Sequence, residues 1–117
     1  MIDLSTEKVL DELFTMNFSI APDLGVYNIA PRLMRYMVDI QDGQKLFDVF
    51  HFHRPGEVSS LKDLSRVGTA LVLLLSNLGE HGLRGQLLPL DDDGGYRFVG
   101  VPWLAWIYAN GFDSHLD

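Results

Sequence analysis

The stretch that decides the fold is "TALVLLLSNLGEHGLRGQLLPLDDDGGYRFVGVPW", residues 69–103. "TALVLLLSN" is continuously apolar and short, which predicts a central strand rather than a helix. "GEHG" and "DDDGG" are turn compositions, and each is followed by another β-rich run, "LRGQLLPL" and "YRFVGVPW". Strands separated by tight turns pair antiparallel, so this third of the chain predicts three consecutive antiparallel strands.

The upstream sequence supplies what packs on them. Val9, Leu10, Leu13, Phe14 and Met16 recur at helical spacing, predicting an N-terminal amphipathic helix over residues 1–16 that Asp3 or Ser5 can cap. Its stripe can pack on its own domain or on another chain. Ile2, Val9 and Met16, spaced by sevens, favour a second chain. "NFSIAPDLGVYNIA" alternates Phe18 and Ile20 with polar residues, breaks at Pro22–Gly25 and resumes with Val26 and Tyr27, as a hairpin does. In "APRLMRYM", Pro31 suits the first position of a short helix. "LFDVF" concentrates Leu46, Phe47, Val49 and Phe50 as an apolar plug before the break "RPGE", and "SSLKDLSRVG" reads as a helical turn or two capped by Ser59 or Ser60. The order helix, two strands, short helices, three strands predicts an α+β fold with helices on one face of an antiparallel sheet.

Composition narrows the function. A chain of 117 residues with 47% hydrophobic and 21% charged residues has the profile of one globular domain. Nine Lys and Arg, scattered along the chain, stand against 16 Asp and Glu, giving a net charge of −7 that repels phosphate backbones and anionic membranes. Nucleic acid and membrane are therefore not expected partners. The absence of cysteine fits a reducing compartment, no secretory leader pattern is present, and a cytoplasmic location is expected.

The candidate chemical motifs fall short of sites. His51 and His53 in "FHFHR" would share one side of a strand, but two imidazoles without a third ligand do not complete a zinc site. An axial haem histidine needs a built apolar pocket, and the adjoining Arg54-Pro55 turns the segment polar. "GEHGLRG" lies between two strands instead of opening a helix, so it does not cradle phosphate. "DDDGG" lacks the spacing of a calcium loop. No serine or carboxylate has the neighbours that nucleophilic or acid–base catalysis requires. The expectation is a non-catalytic domain without cofactor or metal.

Three spaced segments, "GQKLFDVFHFHRPGEV", "LRGQLLPL" and "YRFVGVPWL", together with "DLGVYNIA", resemble the haem-NO-binding-associated (H-NOXA) domain, the PAS-like module of soluble guanylate cyclases and bacterial signalling proteins including histidine kinases. The resemblance runs from about Phe14 to Gly111. It implies a PAS fold with a five-stranded antiparallel sheet, helices across one face and the N-terminal helix outside a core at 17–110, with 111–117 beginning an exit linker. It also implies a regulatory role: two chains pair, as a homodimer or with a paralogous PAS domain, and relay a signal from a haem-NO-binding sensor to a kinase or cyclase output. Haem would belong to that sensor and not to this chain. Within this frame the expected dimer contact is Val9, Leu10, Leu13, Phe14 and Met16, and "LFDVFHFHRPG" is a connector that anchors helices to the sheet. The alternative is a small-molecule sensor whose cavity between sheet and helices would be lined by Phe18, Leu33, Met37, Phe47, Phe50 and Leu73.

Overall fold

The computed structural model describes residues 15–90 and 94–104. They form β1 (Phe18–Ile20), β2 (Val26–Tyr27), α1 (Pro31–Tyr36), α2 (Leu46–Val49), β3 (Phe50–Arg54), α3 (Leu61–Val67), β4 (Val72–Ser76), β5 (Gly82–Pro89) and β6 (Tyr96–Pro102). All strand pairs are antiparallel, and the sheet order is β2-β1-β6-β5-β4-β3. The α+β arrangement expected from the sequence is present. The sheet has six strands, however, and not five.

The additional strand is β3, the segment expected to be a connector. Phe50 and Phe52 are buried while His51, His53 and Arg54 are exposed, the period-two pattern of a strand with one face on a core. It pairs with β4 through Phe50↔Ser76, His51↔Leu75 and Phe52↔Leu74, and the register slips between Phe52 and Arg54. Without β3 the wholly buried β4 would present an unpaired backbone edge, which costs hydrogen bonds and invites aggregation.

The helices have local reasons to form. Pro31 opens α1, where its fixed φ suits the helix and its missing N–H is no loss. Ser60 caps α3, its Oγ accepting from the Asp63 N–H at 3.2 Å. α2 is a single turn whose Leu46 is fully buried. One side chain or two fastens each helix: Leu33 from α1, Leu46 from α2, and Leu64 and Val67 from α3. Full burial of such a side chain is worth roughly 1.5–3 kcal/mol. All of them join one cluster with Phe18, Phe50, Phe52, Leu74, Leu83 and Phe98 of the sheet.

At the centre of that cluster the sheet curls. β1 and β3 are four strand spacings apart in the sheet, roughly 19 Å if it were flat. Yet the rings of Phe18 and Phe50 stack with centroids 5.5 Å apart and planes 5° from parallel, and Phe98 stacks on Phe18 at 5.3 Å. The concave face thus closes around its own phenylalanines. The opposite face is also apolar along its middle: Leu73 and Leu75 of β4 and Val99 of β6 are buried although they lie outside the helix-side cluster.

Candidate functional site

A cleft of about 260 Å³ opens between the exit of α1 and the β4–β5 turn. One wall is the segment following α1. The Met37 N–H closes the helix onto the Leu33 carbonyl at 2.8 Å, and Ile40 N–H bonds to the Met37 carbonyl at 3.1 Å. Met37 and Ile40 plug into the core, which leaves Val38 and Asp39 pointing outward, with Val38 78% exposed.

The other wall is the turn between β4 and β5, and Ser76 organises it. Its Oγ accepts from the Glu80 N–H at 3.1 Å and the His81 N–H at 3.0 Å, while its backbone N–H donates to the His81 carbonyl at 2.8 Å. Gly79 takes φ +76° at the bend, a conformation that glycine adopts without steric cost. Asn77 ties the turn to the α2–β3 segment: its N–H donates to the Val49 carbonyl and its Nδ2 to the Phe47 carbonyl, both at 2.9 Å. Because Nδ2 is the donor, Oδ1 faces the His51 Nδ1 at 3.1 Å as acceptor, which places an imidazole proton on Nδ1. Leu78 is held at the tip of this braced turn, 82% exposed.

The chemistry of the cleft is apolar below and acidic around. Tyr36 and His81 meet edge to face with centroids 4.7 Å apart, and the Tyr36 hydroxyl donates to the Gly82 carbonyl at 3.3 Å. Burial raises the Tyr36 pKa above the ordinary tyrosine value. Asp39, Asp48 and Glu80 line the cleft, and no lysine or arginine among the described residues does. No group of three or more His, Asp or Glu among the described residues could hold a metal ion. Among the described residues the cleft brings together no nucleophile–base pair.

A second feature lies on the convex face. Arg97 donates to Asn17 Oδ1 at 2.8 Å and to Ser19 Oγ at 3.2 Å, and Asn17 is fully buried. This polar clasp joins β6 to the chain entering β1, where the Met16 N–H also bonds to the Gly100 carbonyl at 3.0 Å.

The residues singled out from sequence distribute as follows. Val9, Leu10, Leu13 and Phe14 lie outside the described residues, and Met16 is packed in the core cluster of its own chain. Phe18, Leu33 and Phe50 are fully buried against other core side chains, and Phe47 is half-buried beside them. Leu73 alternates with Val72 and Leu74, which puts it on the convex face, away from the helices. Met37 alone of the six expected cavity residues borders the cleft. His51 and His53 are both outward on β3, but they part company: His51 meets Asn77, and the ring of His53 tilts over Trp103 at 5.5 Å.

No family model matches this chain, and no curated protein matches it. No helix among the described residues is long and apolar enough to cross a membrane.

Proposed function

We propose that this chain is a non-catalytic regulatory module of PAS type, similar to H-NOXA domains, which pairs two chains and relays a signal from a haem-NO-binding sensor to a kinase or cyclase output. The observation that supports this best is the two-faced sheet. Helices α1, α2 and α3 all pack on the concave side, while the convex side carries its own buried apolar row of Leu73, Leu75 and Val99. A sheet with apolar residues on both faces needs a layer on each, and within the single chain both faces are already covered, the arrangement that a PAS-type core with an element outside it calls for. The segments that carried the resemblance fall on β5 and β6 at the centre of the sheet and on β2 and β3 at its two edges. Six strands rather than five is a departure from the simplest PAS sheet, and it consists of one edge strand added beside β4.

The test is sedimentation velocity on the wild type and on Leu13→Asp and Phe14→Asp. The wild type sediments as a dimer and both variants as folded monomers with unchanged far-ultraviolet circular dichroism. A dimer that persists in both variants removes the N-terminal stripe as the interface.

A further inference from the structure

The cleft beside Tyr36 has three properties that together specify an occupant. Its rim carries Val38 and Leu78, at 78% and 82% exposure the two most exposed large hydrophobic side chains among the described residues. Single exposed aliphatics are ordinary, but two flanking one cleft make a patch that water solvates poorly. Its lining carries Asp39, Asp48 and Glu80 with no countering lysine or arginine among the described residues. Its turn is braced by Ser76 and Asn77 through hydrogen bonds of 2.8–3.1 Å, so little conformational freedom is lost when something docks.

Size decides between classes of ligand. At about 260 Å³ the cleft is smaller than the roughly 300–1,000 Å³ typical of small-molecule sites. Its volume suits one or two side chains inserted from a protein surface. We propose that it is the docking site of a basic segment of a partner protein, which inserts an aliphatic side chain between Val38 and Leu78 and sets lysine or arginine side chains against Asp39, Asp48 and Glu80.

A second copy of this chain is the less suitable occupant. The acidic lining of the cleft matches a basic segment better than it matches a second copy, which itself carries a net charge of −7. The chain's own nearest match to the required chemistry is the exposed Arg32, Met34 and Arg35 of α1, so self-docking is one outcome that the experiment must separate.

The probe is a fluorescein-labelled peptide, Gly-Lys-Arg-Leu-Arg-Lys-Gly, with a control peptide carrying serine in place of leucine. Binding is read by anisotropy, and its location by amide shifts in the ¹⁵N-labelled domain. The leucine peptide is expected to shift amides in residues 36–40 and 76–81, to bind more weakly as salt rises, and to outbind the serine peptide. Leu78→Ser, and Asp39→Asn combined with Glu80→Gln, are each expected to weaken it about fivefold or more, the size expected for losing an anchor or two rim charges. Glu57→Gln, an exposed carboxylate elsewhere, leaves binding unchanged. The proposal is overturned by shifts that map elsewhere, by equal binding of the two peptides, by no binding at about 1 mM peptide, the weak limit of useful recognition, or by indifference to Leu78→Ser. It is also overturned, in favour of a second copy, if Leu78→Ser abolishes self-association in sedimentation.

Discussion

Gly85 of β5 and Gly100 of β6 face each other as cross-strand partners, and neither has room for a side chain. A Cβ on Gly85 would strike the Val99 carbonyl oxygen and come within 2.7 Å of the Gly100 Cα. One on Gly100 would sit 2.5 Å from the Arg84 carbonyl oxygen and 2.7 Å from ring carbons of Phe98, which is fully buried and cannot retreat. The glycines of "LRGQ" and "FVGV" are therefore packing requirements of the sheet centre.

From that relationship, Gly85→Ala and Gly100→Ala should each lower stability by about 1–3 kcal/mol, as overpacking does, with Gly85→Ala at the upper end because its closest backbone obstruction, the Val99 carbonyl oxygen, lies nearer than the Arg84 carbonyl oxygen does to Gly100. The double variant should cost less than the sum, since the first substitution already forces the strands apart. Urea unfolding of the three variants measures this, and additive costs would show that the two positions are independent.

The stack of Phe18 on Phe50 and Phe98 closes the curl of the sheet. Phe18→Ala should cost about 3–5 kcal/mol, the range for a buried aromatic replaced by alanine. His51→Ala, on the exposed side of the strand that carries Phe50, should cost far less. Thermal unfolding of both variants separates the two faces of β3. Equal losses would mean that the histidines, and not the phenylalanines, hold this edge.

Much of this architecture was legible in the sequence. The three strands of residues 69–103, Pro31 at the start of α1 and the Ser60 cap are local signals that the structure keeps. β3 was legible too, because Phe50 and Phe52 alternate with His51 and His53, but the eye goes to paired histidines as ligands before it goes to paired phenylalanines as a strand face. The cleft was not legible. Its walls come from residues 36–49 and 76–81, and they meet only because β3 pairs with β4 and Asn77 reaches back to the Phe47 and Val49 carbonyls. Nor could the convex-side placement of Leu73 be read, since an unbroken run of aliphatics in β4 gives no alternation to tell one face from the other.

The start of α3 is a reciprocal cap. Ser60 Oγ accepts from the Asp63 N–H, and Asp63 Oδ2 accepts from the Ser59 N–H at 3.0 Å. Ser60→Ala should cost about 1 kcal/mol, the usual loss for such a cap. The bond from the Ser59 N–H is the largest influence lowering the Asp63 pKa below its ordinary value. Its contribution is therefore present above the unfolded carboxylate value and lost as pH falls through the lower folded value. Asp63→Asn should flatten the stability profile in that acid range. An unchanged acid limb in denaturant titrations would show that the cap carries no charge dependence.

Tyr36 should show the opposite sense at high pH. Burial favours its neutral phenol in the folded chain and raises its pKa above 10.0. A raised folded value means that the contribution is fully present below the unfolded pKa and is lost as pH rises through the folded one. Because Tyr36 is only partly buried, the effect is a modest slope and not a collapse. Tyr36→Phe removes both the ionisation and the 3.3 Å bond to the Gly82 carbonyl. It should be slightly less stable than wild type at neutral pH, by up to about 1 kcal/mol for one hydrogen bond. The difference should shrink or reverse at alkaline pH, where wild-type Tyr36 is driven toward an anion that its surroundings do not solvate. Urea midpoints at neutral pH and above the tyrosine range test the crossing, with tyrosinate absorbance reporting when Tyr36 ionises. Parallel stability curves for the two proteins would mean that the hydroxyl at the cleft wall is fully hydrated, which would also weaken the case for a preformed apolar floor there.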